Sequence, residues 1–394
     1  MKKLNFFYLI ILFCIGFLFI RLNHISSKIE FRYDQGLHLL ESYQMWQSHK
    51  IRLVGPMVTS KTLDGRQFFI GPFYYYTLAL LGYLSAWSPL TLTILFIIID
   101  VIFYLIFLKF LNKHFGLIPT IISAIIITFS PYLISHSRFF WNPHFLIPLS
   151  VLFVLFFNNI FIAALIIGLA FSFHYTALFW IIPLIINLFY KKQFNLKNIF
   201  IIFSGFILGD LPFFIFELRH QFYNLKTIFL VFFHSGNSSG LTPHYFIFPF
   251  LIFTIILILK ISKIYKKPFY LLLLLFLFYR PTPSLDQINN WQYQDQQKVT
   301  QQILAQGCPQ NYNIASTIQG DTRFYDLRYL LTINKCPPAS VTDYPNNDLL
   351  FLVAPNNRPP ETESVWEVTS LKPFRVTNAI QVNQGNILYT IKRL

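Results

Sequence analysis

The sequence predicts a polytopic α-helical membrane protein that ends in a small extracytoplasmic α/β domain. Of the 394 residues, 55% are hydrophobic and 12% charged, about half the ~25% charged fraction of an ordinary soluble domain. Forty-seven Phe and 22 Tyr call for burial, while acids and bases that would wet a surface are sparse over most of the length. The charge is also divided unevenly. Residues 281–394 carry nine bases and nine acids, so the net +15 comes entirely from residues 1–280, with 22 bases against seven acids.

Residues 1–280 read as the membrane domain. Apolar runs near the ~20-residue spanning length fall at roughly 4–21, 90–109, 115–134, 142–158, 159–175, 176–190, 199–217, 244–260 and 268–280. The first follows Lys2-Lys3 and is followed directly by Arg21, with no small-residue cleavage site, so it reads as an uncleaved anchor. Lys109/Lys113, Lys191/Lys192/Lys197 and Lys260/Lys263/Lys266/Lys267 mark the cytoplasmic side together with the N-terminus. Nine crossings satisfy every cluster and expect a multi-pass cell-membrane protein with its C-terminal domain outside. The first outer loop, 22–89, then contains Phe68–Trp87, expected as an interfacial or re-entrant helix with Tyr74, Tyr75, Tyr76 and Trp87 in the headgroup zone.

The second domain, 281–394, begins at the breaker Arg280-Pro281-Thr282-Pro283. A polar helical run at 286–306, a strand at Tyr312–Ser316, a helix at Thr322–Leu331, the apolar Leu349–Val353 and alternating segments near 364–370 and 385–392 predict a small α/β fold. Cys308 and Cys336 are able to pair if the domain lies outside the cytoplasm. Bases scattered between apolar runs suit lipid headgroups or phosphate, and argue against nucleic acid, which calls for a contiguous stripe.

All ten histidines lie before residue 281, and under this topology all but His114 fall at outer loops or outer helix ends. The seven acids there are Glu30, Asp34, Glu41, Asp64, Asp100, Asp210 and Glu217. Asp34, His38 and Glu41 are spaced by four and three, so a helix puts them on one face, opposite Leu39, Tyr43 and Trp46. Asp100 is mid-span, where a carboxylate calls for a partner or a cavity. Asp210, in Gly209-Asp210-Leu211-Pro212, sits in an expected helix break, and Glu217-Leu218-Arg219-His220 closes an outer helix end.

A resemblance gathers these residues. The acid soon after the first helix, Gly71-Pro72-Phe73-Tyr74-Tyr75-Tyr76, and Ser135-His136-Ser137-Arg138-Phe139-Phe140-Trp141-Asn142-Pro143 together resemble the GT-C glycosyltransferases, within them the protein O-mannosyltransferase and aminoarabinose-transferase type. Phe173-His174-Tyr175-Thr176 and Phe216-Glu217-Leu218-Arg219-His220 resemble further recurrent segments, and the likeness covers roughly residues 1–280. It implies transfer of a hexosyl or pentosyl group from a polyprenyl-phosphate-linked sugar to a lipid, glycan or protein acceptor at the outer membrane face. By that likeness Asp34 is the acceptor base. Gln35 stands where relatives often carry a second acid, and Gly71-Pro72 replaces a His-Pro-Pro.

The chemistry agrees with this without the family. Displacing a lipid phosphate from an anomeric carbon needs a base for the acceptor hydroxyl and cations for the leaving phosphate. Asp34 offers the first; Arg138 and Arg219, with Arg32 and Arg66, offer the second. His38, Glu41, Tyr74, Tyr75, Asn142, His174, Glu217 and His220 are the acceptor- or sugar-binding candidates. No cofactor is expected; a divalent metal could replace the cations, although no dense carboxylate set argues for one. The rival readings are a transporter or lipid flippase, which would usually show repeat symmetry, and a membrane-anchored assembly protein.

Overall fold

The computed structural model describes residues 2–234, 244–281, 290–318 and 320–394. Helices dominate it, with a four-stranded sheet near the C-terminus. Two compact units emerge, Met1–Leu22 with Met45–Leu81 and Ile94–Arg280, and Asn23–Gln44 with Gly82–Thr93 and Pro281–Leu394. The C-terminal unit is therefore larger than residues 281–394 and takes in half of the expected outer loop.

In the first unit, helices form on each predicted apolar run. Among the described residues, Pro89–Phe115 and His244–Tyr265 are long and apolar enough to cross a membrane, and two bent pairs raise the number to as many as four. The bent pairs are Leu117–Phe129 with Pro131–Ser137, turning by 56°, and Leu196–Gly209 with Leu211–Arg219, turning by 88°. Both breaks follow from proline at the second helix's start, because its missing N–H leaves a carbonyl one turn back without its usual donor. At the first break Arg21 takes over. Its guanidinium lies 3.5 Å over the Phe17 ring and donates to Ile127 O at 2.8 Å and Thr128 O at 3.1 Å. Arg138 in turn donates to Arg21 O at 3.1 Å and Ile20 O at 2.5 Å, closing the C-terminal end of the Lys2–Leu22 helix.

The second break rests on glycine. A Cβ at Gly168 would overlap Phe206 O, and one at Gly209 would overlap Leu165 O, so the Ile160–Phe173 and Leu196–Gly209 helices pack backbone to backbone. Gly205 and Gly209 form the small-xxx-small spacing that such packing requires. The chain then turns at Asp210, whose side chain is buried against Gly71 beside the Ser172 hydroxyl, leaving no room for a Cβ at Gly71. Ser172 Oγ also accepts from Phe73 N at 3.1 Å, fixing the start of the Phe73–Leu84 helix.

That helix is shorter than the expected Phe68–Trp87 element. Residues before it form a hairpin, β1 (Met57–Lys61) paired with β2 (Gln67–Phe69). Asp64-Gly65 supplies its turn, with Gly65 at φ 82°, a conformation that favours glycine.

The second unit is built on β3 (Tyr312–Ser316), β4 (Leu349–Pro355), β5 (Phe374–Gln381) and β6 (Asn386–Arg393), in the order β3-β4-β6-β5. β3 and β4 are parallel, from Tyr312 opposite Leu349 to Ser316 opposite Val353; the other pairings are antiparallel. β4 is an unbroken apolar run because both faces are covered. Phe351 and Val353 pack with Val299, Ile303, Leu327 and Leu331 from the helices Tyr293–Leu304 and Tyr325–Ile333. Leu350, Leu352 and Ala354 pack with Tyr344, Val368 and Leu371 on the other side. Cys308 and Cys336 form a disulfide with a Cα separation of 5.5 Å. Two expectations change here: the alternating segment near 364–370 is a short helix, Trp366–Thr369, and the strand Phe374–Gln381 was not foreseen. Residues 286–289 of the expected 286–306 helix, and Thr282-Pro283, lie outside the described residues.

The Asn23–Gln44 strap is part of this unit through specific contacts. Gln296 Nε2 donates to Phe31 O at 2.7 Å and Asp326 Oδ2 at 2.9 Å, while the Phe31 ring meets Tyr293 and Tyr329 edge-on. Gly36 lies so close to the backbone of Asp326 that a Cβ would overlap its Cα and N. Gly36→Ala should therefore destabilise the protein, because overpacking against backbone costs ~1–3 kcal/mol and outweighs the gain in helix propensity of up to ~1 kcal/mol. We expect the thermal midpoint of the full-length protein to fall by about 2–8 °C, read by differential scanning fluorimetry. Removing the disulfide by Cys308→Ser and Cys336→Ser should cost about 3–4 kcal/mol on loop-closure grounds, and the intact wild-type mass should rise by two hydrogens on reduction.

Candidate active site

The acids sort by what they touch. Glu30 pairs with Arg32, and Asp64 with Arg66 at 2.7 Å, which holds the Asp64 carboxyl down at about 2, helped by the Thr62 hydroxyl. Glu217 is fully buried and accepts from Asn224 N at 3.2 Å and Leu225 N at 2.9 Å, capping the start of the Tyr223–His234 helix. Asp210 is enclosed against Gly71. Asp34 differs from all of these: it is half-buried, in the first turn of the Tyr33–Ser48 helix, and has no hydrogen bond or ion pair among the described residues.

That helix does not show the face expected of it. Gln35, Gly36, His38, Leu39, Leu40 and Ser42 are buried, while Asp34 and Glu41 stay half-buried. His38 is thus turned into the packing rather than toward a cavity with the two acids, because small Gly36 and Ser42 let this side of the helix approach its neighbours. Burial lowers the His38 pKa, with Asp34 pulling it up. The neutral imidazole is favoured in the fold, so the contribution of His38 to stability is present above the unfolded pKa of ~6.5 and is lost as pH falls below it.

The cations divide in the same way. Arg32 and Arg66 are held by Glu30 and Asp64, and Arg138 directs its fork at the two carbonyls of the first helix. Arg219 ends the Leu211–Arg219 helix exposed, with no partner among the described residues. His220 beside it is exposed, with Nδ1 2.9 Å from Phe216 O.

The aromatic and amide candidates form one seam in the first unit. Tyr74 is fully buried, and its hydroxyl donates to Phe140 O at 3.4 Å. Asn142 Nδ2 donates to Phe173 O at 2.8 Å, and His174 Nδ1 lies 2.8 Å from the Thr176 hydroxyl. The Tyr75 ring carries the Arg52 guanidinium at 5.5 Å.

Sequence reasoning missed four participants. His136 Nδ1 and His144 Nε2 are 3.1 Å apart, joined by the turn between Ser137 and Asn142, and His244 reaches the Trp141 ring. The outward bias of histidines was the signal, but not which would meet. The fourth is Arg21, the companion of Asp100. Both line a cavity of about 60 Å³ with His136, Ser137 and His144, and make no direct ion pair. Arg21 Nε and His144 Nδ1 are buried without a partner among the described residues, and a cavity of this size has room for water beside them.

Among the described residues no group of three or more His, Cys, Asp or Glu could hold a metal ion. No family model matches the chain, nor does any curated protein.

The two leading arginines should separate by experiment. Arg138→Lys loses the planar fork that serves two carbonyls, so its main effect should be a lower thermal midpoint. Arg219→Lys, at an exposed helix end with no partner among the described residues, should leave the midpoint within about 1–2 °C, read in the same scan.

Proposed function

We propose that this protein is an integral-membrane glycosyltransferase that moves a sugar from a polyprenyl-phosphate donor to an acceptor hydroxyl at the extracytoplasmic face. The observation that carries the reading is Asp34, a half-buried carboxylate that no hydrogen bond or ion pair among the described residues consumes. A general base has to be reached by its proton donor and keep its lone pairs free. The exposed Arg219 supports the same reading, since a guanidinium without a carboxylate partner is available for a leaving phosphate. Two to four helices long and apolar enough to cross a membrane are compatible with a membrane protein; in this reading the lysine clusters put the N-terminus inside and the C-terminal domain outside, with the shorter helices completing nine crossings.

In this mechanism Asp34 takes the proton of the acceptor hydroxyl as its oxygen attacks the anomeric carbon. The carbon–oxygen bond to the lipid phosphate breaks, and a cation is needed to stabilise the charge that gathers there. The seam of Tyr74, Tyr75, Asn142 and His174 shapes the first unit by packing and hydrogen bonding.

Replacing Asp34 by Asn keeps the shape and removes the basicity. Sugar transfer from a radiolabelled polyprenyl-phosphate sugar should slow by ~10²–10⁴-fold, with donor binding and thermal midpoint retained. A well-folded Asp34→Asn enzyme with wild-type turnover would sink the assignment.

A further inference from the structure

The second unit places four side chains around the first turn of the helix that bears Asp34. Asp321 accepts from Arg323 Nε at 3.0 and 3.1 Å and from Arg323 N at 2.8 Å, and it pairs with the outer guanidinium nitrogen as well. That same nitrogen, Nη2, donates to the Tyr33 hydroxyl at 2.9 Å. The guanidinium carbon sits 5.4 Å from the Tyr33 ring centre and 5.5 Å from that of Tyr325. The two rings stand edge to face, 5.1 Å apart at 83°. All four residues remain partly open to solvent, with Arg323 42% and Asp321 22% exposed at the side chain.

We infer that Tyr33, Asp321, Arg323 and Tyr325 form an acceptor subsite for a neutral carbohydrate, next to the carboxylate of Asp34. The inference rests on the transferase reading for its role in catalysis and on geometry for its ligand. Aromatic faces offer an apolar platform with polar rims. The carboxylate–guanidinium fork offers acceptors and donors side by side, as vicinal hydroxyls require, while its net charge is zero. An anionic acceptor would have to compete with Asp321 for Arg323, and a purely apolar one would leave the fork desolvated without new partners. A polyol meets neither obstacle. Tyr33 precedes Asp34 in the chain, so the platform and the base share the first turn of one helix.

The test uses the full-length protein in detergent, titrated with α- and β-linked disaccharides of glucose, galactose and mannose and followed by saturation-transfer NMR. Wild type should bind at least one of them, and Tyr325→Ala, Asp321→Asn and Arg323→Gln should each weaken that binding about tenfold or more. Tyr325→Phe, which keeps the ring, should bind as wild type. In the transfer assay the same weakening should appear in the KM for that saccharide acceptor and not in the KM for the donor. If none of the disaccharides binds wild type, the inference is overturned. It is also overturned if Arg323→Gln and Asp321→Asn lower only the thermal midpoint and leave binding per folded molecule unchanged, as a purely structural clasp requires. Intact, mutation-sensitive saccharide binding with no transfer by wild type would support the subsite and sink the transferase reading.

Discussion

The first unit depends on one constraint: every backbone carbonyl freed where an apolar helix breaks has to find a donor, because no water competes inside an apolar layer. Pro131 frees carbonyls and Arg21 supplies the replacement. Arg21 itself closes the first helix, so its own carbonyl is taken by Arg138. Trp180, fully buried, donates through its indole to Pro249 O at 3.1 Å and so ties itself to the His244–Tyr265 helix. Asn142 does the same for Phe173 O. These donors are spread through the chain, so a handful of polar side chains fixes how the helices meet. Arginine suits the task because one fork serves two acceptors at a fixed spacing.

The second unit solves a different problem, holding a short helix start in a reproducible place. A side chain on a free loop would lose much of its effective concentration, whereas one on a helix whose first turns are pinned keeps its geometry. Phe31, Tyr33 and Gly36 pin the turns around Asp34 through a carbonyl hydrogen bond, an aromatic clasp and a backbone approach. Buried Arg328 stiffens the same neighbourhood, donating to Arg323 O at 2.7 Å, Ala339 O at 2.6 Å and the Tyr344 hydroxyl at 2.8 Å. The strap thus belongs to the sheet unit in packing although it lies about 250 residues away in sequence.

That distance explains what could be read in advance. Local signals were legible: apolar runs became helices, Tyr312–Ser316 became a strand at the expected bounds, and the break expected at Gly209-Asp210-Leu211-Pro212 is there, whereas the one at Pro131 inside the 115–134 run was not foreseen. Long-range pairings were not, since nothing in the periodicity of 33–48 says that Gly36 faces Asp326. The Asp34-His38-Glu41 face failed for the same reason, as helical spacing gives a shared side but not which side is buried. The Asp64-Gly65 hairpin was readable from turn chemistry and was hidden by the aromatic run after it. Asp100 was recognised as needing a companion, but only tertiary structure shows that its cavity is shared with Arg21.

Charge bookkeeping within the site candidates leads one step further. A guanidinium already locked in a carboxylate fork is neutralised, so binding a phosphate there means breaking the existing pair and leaving a carboxylate unpaired. Arg32, Arg66 and Arg323 are in that state, and Arg138 is committed to backbone carbonyls. Arg219 is in neither state. In the proposed transfer, an unpaired guanidinium is the kind that attracts a phosphate, whereas a paired one offers donors and acceptors without attracting it. The sorting of cations by partner therefore also sorts them by the ligand each can hold, and that is a stronger discriminator than their number or their place in the sequence.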